Sequence, residues 1–133
     1  MITHAETFIR HPLRAEGHER EIRGLIFPHG NERRIEVSLV RRGERIGRLQ
    51  IGADGAELLT KALDRLDFAK ESIGTFNDGR FDVEVSVGPH QAGRAIYLQK
   101  RDAAGVPAGH PVALYGEEIG ALAEGIAWLW GTS

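Results

Sequence analysis

Residues 20–42, REIRGLIFPHGNERRIEVSLVRR, and residues 81–103, FDVEVSVGPHQAGRAIYLQKRDA, decide the fold when one is laid over the other. At a shift of 61 positions Pro28 meets Pro89, His29 meets His90, Arg33 meets Arg94 and Ile35 meets Ile96. The register carries on, with Gly55 opposite Gly116, Glu57 opposite Glu118 and Ala62 opposite Ala123. Apolar positions coincide as well: Ile22 with Val83, Ile26 with Val87, Val37 with Leu98, Ile51 with Val112 and Leu58 with Ile119, although Leu39 falls opposite Lys100. The identities are few, and strand patterns are degenerate. The shared apolar register is what makes a tandem duplication the better reading.

Each copy then reads alike. Glu21–Phe27, Arg34–Arg42 and Arg45–Gly52 alternate apolar and polar residues, as half-buried strands do, and Thr7–Leu13 supplies an earlier strand. Pro28-His29-Gly30-Asn31 is a turn by composition. Ala53-Asp54-Gly55 opens a helix capped by Asp54, with Leu59, Ala62, Leu63 and Leu66 at helical spacing. In the second copy the strands are Ser72–Phe76, Phe81–Val87, Arg94–Arg101 and Pro111–Tyr115. Asn77-Asp78-Gly79 makes a hairpin, Gly88-Pro89-His90 turns the chain, and Asp102–His110 is a longer loop. Glu117–Trp130 is the closing helix, with the stripe Ile119, Leu122, Ile126 and Leu129 and two glutamates in its first turn, where the helix dipole favours them. The predicted fold is α+β: two tandem ββββα repeats, at about 7–69 and 70–131, whose antiparallel sheets are each backed by a helix and pack as one pseudo-symmetric domain, residues 1–133. One such unit of ~60 residues is marginal on its own core, so the copies need each other. A helix covers one face of such a sheet and leaves the other for water, a partner or a ligand.

Composition narrows the function. The chain has no cysteine, which excludes disulfides, thiolate metal sites and cysteine nucleophiles. No apolar stretch approaches the ~20 residues of a membrane helix, and Met1–Arg14 lacks the apolar run of a secretory signal, so a soluble, cytoplasmic domain is expected. The net charge of -2 hides an asymmetry: residues 1–50 hold ten arginines against seven glutamates, while residues 51–133 hold seven basic and twelve acidic groups. Arginine outnumbers lysine fourteen to three, which fits a GC-rich bacterial genome and also supplies planar donors for phosphate.

The ends of the two copies, GRLQIGADGAELLTKALDRL and PVALYGEEIGALAEGIAWL, run a strand straight into an acidic-capped amphipathic helix. In this and in its duplicated ββββα plan the chain resembles the PUR repeat and, more broadly, the Whirly-like single-stranded nucleic-acid-binding superfamily. The resemblance spans about residues 7–130 and rests on pattern rather than on a diagnostic motif. It implies two repeats paired through their helices, with curved sheets that meet single-stranded DNA or RNA through basic, polar and aromatic side chains. Alternation nominates the counterparts here: Phe27, Arg34, Ser38, Arg42, Arg48 and Gln50 in the first copy, and Tyr97, Gln99 and Arg101 in the second. Stacking and arginine–phosphate contacts would then carry binding, concentrated toward Arg34–Gln50, with a nucleoid-associated location if the strand is DNA.

The remaining constellations are weak. His4, His11 and His18 are spaced by seven, too far apart in an extended chain for chelation, so no metal and no cofactor is expected. No GxSxG, P-loop or GxGxxG occurs, and a non-enzymatic module is expected. Trp128 and Trp130 lie on different sides of their helix; Trp130 suits the core and Trp128 an interface, which implies self-association. The rival to nucleic-acid binding is a protein-interaction or oligomerisation module on the same fold. Asp82 and Glu84 on the second copy's sheet favour it, and its mark would be an exposed apolar patch around Leu25, Phe27 and Val40.

Overall fold

Alternating residues form the strands and the two apolar stripes form the helices. The computed structural model describes residues 4–12, 17–28, 32–67, 70–91 and 93–131. Its elements are β1 (His4–Pro12), β2 (Glu19–Ile26), β3 (Arg33–Arg41), β4 (Glu44–Ile51), α1 (Ala53–Asp64), β5 (Glu71–Asn77), β6 (Asp82–His90), β7 (Gly93–Arg101), β8 (Val112–Tyr115) and α2 (Glu117–Trp130). β1–β4 make one antiparallel sheet and β5–β8 a second, each in sequence order. The fold is thus α+β, with two four-stranded sheets and two helices in the order ββββαββββα. Among the described residues no helix is long and apolar enough to cross a membrane.

The contacts divide the chain into two compact units, residues 1–53 with 120–133, and residues 54–119. Each sheet has a helix, but the helices are exchanged between the repeats. α2, which follows the second four strands, packs on the first sheet. The Trp128 ring lies over Gly24 of β2 and meets the Phe8 ring edge-on at 5.6 Å, and Gly125 faces Phe8 and Ile35. α1 packs on the second sheet, with Leu58 against Gly74 of β5. A Cβ at either position would stand 2.8 Å from the opposing side chain, which at Gly24 is a pair of packed rings and at Gly74 the end of a flexible leucine. Trp128, nominated for an interface, therefore serves packing within the chain.

The helix ends explain part of this arrangement. Arg33, the first residue of β3, donates from Nη1 to the Leu129 carbonyl in the last turn of α2. Arg94, its counterpart in β7, donates from Nε to the Leu66 carbonyl just beyond α1 at 2.6 Å. Last-turn carbonyls lack helical partners and carry the negative end of the dipole, so a guanidinium satisfies both. An identity found by overlaying the repeats is thus the same device used twice, each time on the other repeat's helix. At the other end of α2, Glu118 reaches back to accept from Tyr115 N at 3.1 Å, half of a capping box. Asp54, expected as a cap, is the second residue of α1 and acts there by its charge.

The repeat register needs three corrections. Ile22 pairs with Val37 and Val85 with Leu98, so β2 corresponds to β6 at a shift of 63 rather than 61, and Ile22 matches Val85. The Gly55–Gly116 identity is a coincidence, because Gly55 lies inside α1 and Gly116 precedes α2. Gly88-Pro89-His90 does not turn the chain but ends β6, whose pairing runs on to His90 opposite Gly93; a proline is tolerated at such a strand end because little of the ladder is left to serve. His29 lies outside the described residues. The helix stripes are also rotated: Gly55, Ala56, Leu59 and Ala62 are the buried line of α1, and Glu118, Ala121, Leu122, Gly125 and Leu129 that of α2, leaving Ile119 and Ile126 half-buried at its margin.

Candidate functional site

The face of the first sheet away from α2 carries Glu21, Arg23 and Leu25 of β2, Arg34, Glu36, Ser38 and Val40 of β3, and Arg45 and Gln50 of β4. It is closed rather than open: Glu21, Glu36, Leu25, Ser38 and Val40 are each at most 2% exposed. Its arginines lie over the two buried carboxylates. Arg23 bridges Glu36 at 2.7 Å and approaches Glu21 at 3.4 Å, and Arg45 donates to Glu21. That hydrogen bond, against a smaller opposing effect of burial, holds the Arg45 guanidinium above its ordinary pKa. Gln50 donates to Glu36 at 3.2 Å and accepts from Arg34, whose guanidinium also bridges Glu32 at 2.6 Å and lies 5.1 Å from the centre of the Phe27 ring. Of the residues nominated here, Phe27, Arg34 and Gln50 come together inside a self-neutralised network, and Ser38 is buried out of a ligand's reach.

Arg42 and Arg48 lie at the surface of the same sheet. Arg41 pairs with Glu44 across a two-residue turn in which Arg42 and Gly43 have φ of 52° and 80°, the left-handed pair a tight hairpin requires. Arg42 is exposed at this tip, and Arg48 is exposed on β4 beside a bulge at Gly47.

The second sheet is different. Its face away from α1 holds a groove of about 340 Å³ lined by Lys70, Glu84, Ser86, Gly88, Pro89, Tyr97, Gln99, Arg101 and Pro111, among others. Tyr97, Gln99 and Arg101 are the alternate residues of β7, so one strand delivers all three second-copy nominees to one place. Gly88 provides the floor: with no side chain, it leaves the Tyr97 ring and the Lys70 stem on either side of it, 3.6 and 3.7 Å from where a Cβ would stand. The Tyr97 hydroxyl donates to the Pro89 carbonyl at 2.6 Å, which fixes the ring across β6. His90, on the same face, stacks on Tyr115 at 4.2 Å and lies 6.5 Å from Tyr97, extending the aromatic surface along the sheet.

The charges in the groove are partly matched. Arg101 donates to Glu84 and to the Gly105 carbonyl, both at 3.0 Å, and Ser72 donates to the other Glu84 oxygen at 3.1 Å. Lys70 makes no ion pair with the described residues, so the groove keeps a net positive character at that side. Such a site combines a planar aromatic surface, fixed polar groups and a flexible cation, suited to a planar anionic ligand.

The first sheet differs at the matching positions. By strand register, Leu25 stands in the first sheet where Gly88 stands in the second, and Glu36, Ser38 and Val40 stand where Tyr97, Gln99 and Arg101 do. All four of these first-sheet residues are buried. Sequence reasoning missed Lys70, Gly88, Pro89 and Pro111. Lys70 precedes β5 and belongs to no periodic pattern, whereas Gly88 was legible as an isolated glycine in an otherwise β-branched strand, a mark of close approach. No family model matches this chain, and no curated protein matches its sequence.

Proposed function

We propose that the chain is a non-enzymatic module that binds single-stranded DNA or RNA in the groove of its second sheet, as an accessory factor in transcription or nucleic-acid metabolism. The pseudo-symmetric pairing of repeats implied by the PUR and Whirly-like resemblance belongs to this reading. The observation that carries it is the convergence of Tyr97, Gln99, Arg101 and Lys70 on one groove. A base stacks on Tyr97, and its phosphate meets Lys70 and the outer edge of Arg101. Stacking on an aromatic is worth ~1–3 kcal/mol per base and is tolerant of sequence, while each phosphate contact makes affinity fall with salt. The rival protein-interaction reading keeps Glu84 in the groove on its side but lacks the apolar patch expected of it, because Leu25 and Val40 are buried and the one large apolar side chain exposed among the described residues is Val106, in the β7–β8 loop.

Fluorescence anisotropy with a labelled single-stranded oligonucleotide at two salt concentrations tests this. Binding at low salt is expected, with Tyr97→Ala weakening it by about 1–3 kcal/mol. Lys70→Ala is expected to reduce the slope of log affinity against log salt by about 0.7. Absence of binding at low salt, or full affinity in a folded Tyr97→Ala variant, sinks the reading.

A further inference from the structure

Gln99 gives the groove a fixed hydrogen-bonding sense. Its Nε2 donates to two backbone carbonyls, Lys100 O at 2.9 Å and Gly109 O at 3.2 Å. Carbonyl oxygens can only accept, so the amide cannot be flipped without losing both bonds and setting oxygen against oxygen. Its Oε1 receives no hydrogen bond from the described residues, and the side chain lines the groove beside Pro111. The neighbouring polar atoms have the same sense. The Tyr97 proton is committed to Pro89, which leaves that hydroxyl oxygen as an acceptor, and both Glu84 oxygens accept. Ser86 alone, opposite Tyr97 in the ladder, has a hydroxyl able to turn either way; the cationic donors, Lys70 and Arg101, are those the phosphate takes.

We infer that Gln99 makes the groove select cytosine and adenine over thymine and uracil. The inference rests on the nucleic-acid reading above. A base lying against Tyr97 turns one edge toward Gln99. If that edge is the C4–C5 side of a pyrimidine or the C6–N7 side of a purine, away from N3–H and N1–H, cytosine and adenine offer an amino N–H there, whereas uracil and thymine offer O4, which faces Oε1 without a proton between them. An unmade hydrogen bond to a group stripped of water is costly, so the discrimination comes from rejecting the wrong base as much as from gripping the right one.

Cytosine and uracil give the cleanest comparison, being the same size and differing on that edge. Oligodeoxycytidine and oligodeoxyuridine of equal length, titrated at slightly alkaline pH to keep cytosine neutral, should differ roughly fivefold or more in affinity, in favour of cytosine. Gln99→Met keeps the length of the side chain and removes the acceptor. It should bring the two polymers to equal affinity, weakening cytosine and strengthening uridine. Equal binding by the native chain overturns the inference and leaves the nucleic-acid reading intact, and this arm needs no variant to fold. A preference that survives in Gln99→Met overturns it too. Failure of both polymers to bind removes the function from which it follows.

Discussion

Replacing Gly24 by alanine is the most direct probe of the exchanged helices. A Cβ at Gly24 would stand 2.8 Å from Trp128 Cζ3, 2.9 Å from Trp128 Cε3 and 3.0 Å from Phe8 Cε2. All three atoms belong to rings, and the two rings lean on each other at 5.6 Å, so neither can swing aside alone. The backbone at Gly24 is ordinary strand, so conformational strain adds nothing and the cost is steric. Overpacking of this kind costs ~1–3 kcal/mol, a fall in melting temperature of roughly 4–12 °C for a chain of this size. Gly74→Ala is the internal control. Its Cβ would also meet an atom at 2.8 Å, but that atom is Leu58 Cδ2, the end of a flexible side chain, so less than ~1 kcal/mol is expected.

The pairing itself is read by a double-mutant cycle. Trp128→Leu removes the obstructing ring, so Gly24→Ala should cost about 1 kcal/mol less in that background. Thermal melts of the four variants measure the coupling. If each helix instead backed its own repeat's strands, Gly24 would face α1. Its substitution would then couple to Leu58 and be indifferent to Trp128. That outcome, or an unchanged melting temperature in Gly24→Ala, would refute the exchange.

Three further outcomes follow from the same contacts. Glu36→Ala leaves the Arg23 guanidinium, whose side chain is 13% exposed, with Glu21 at 3.4 Å as its remaining carboxylate, and should lower stability by about 2–4 kcal/mol, read as a lower urea midpoint at unchanged slope. Arg33→Met and Arg94→Met each remove one charged donor from a helix end, at about 1–2 kcal/mol. Amide exchange should then quicken in the last turn of α2 for Arg33→Met and of α1 for Arg94→Met, and the reverse assignment would contradict the arrangement. Gly88→Leu places in the second sheet the residue the first sheet has at the corresponding position, and should weaken oligonucleotide binding tenfold or more, about 1.4 kcal/mol, while the sheet still forms, as checked by circular dichroism.

What was legible in the sequence followed from periodicity. Alternation located all eight strands to within a few residues, and the 117–130 helix was placed at its observed bounds. The Asn77-Asp78-Gly79 hairpin was legible from its chemistry: Asn77 Oδ1 accepts from Gly79 N, and Asp78 Oδ1 from the amides of Arg80 and Phe81. Three things escaped. Helix exchange is invisible because α1 and α2 present similar apolar stripes, and nothing in a stripe names its sheet. The buried ionic network escaped because alternation assigns Glu21, Arg23 and Glu36 to a polar face without saying whether that face meets water. The position of the groove escaped because it depends on what is missing at Gly88 as much as on what is present at Tyr97, and on a strand register two residues away from the one the sequence overlay favours.

Arg33 and Arg94 are one of the few identities between the copies, and each holds the end of the helix that the other copy contributes. The same residue type thus does the same work at both helix ends. Neither four-stranded sheet then retains its own helix, which is why a unit of ~60 residues has no independent core to fall back on. The faces opposite the helices differ between the two sheets. The first sheet closed its face with Leu25, Val40 and two buried glutamates under arginine. The second placed glycine, tyrosine, glutamine and arginine at the matching positions and kept a groove. The excess of basic residues in the first fifty positions is therefore not a free positive surface: Arg23, Arg34 and Arg45 are bound to carboxylates nearby, and it is the acidic second copy whose sheet carries the groove with Lys70 and Arg101.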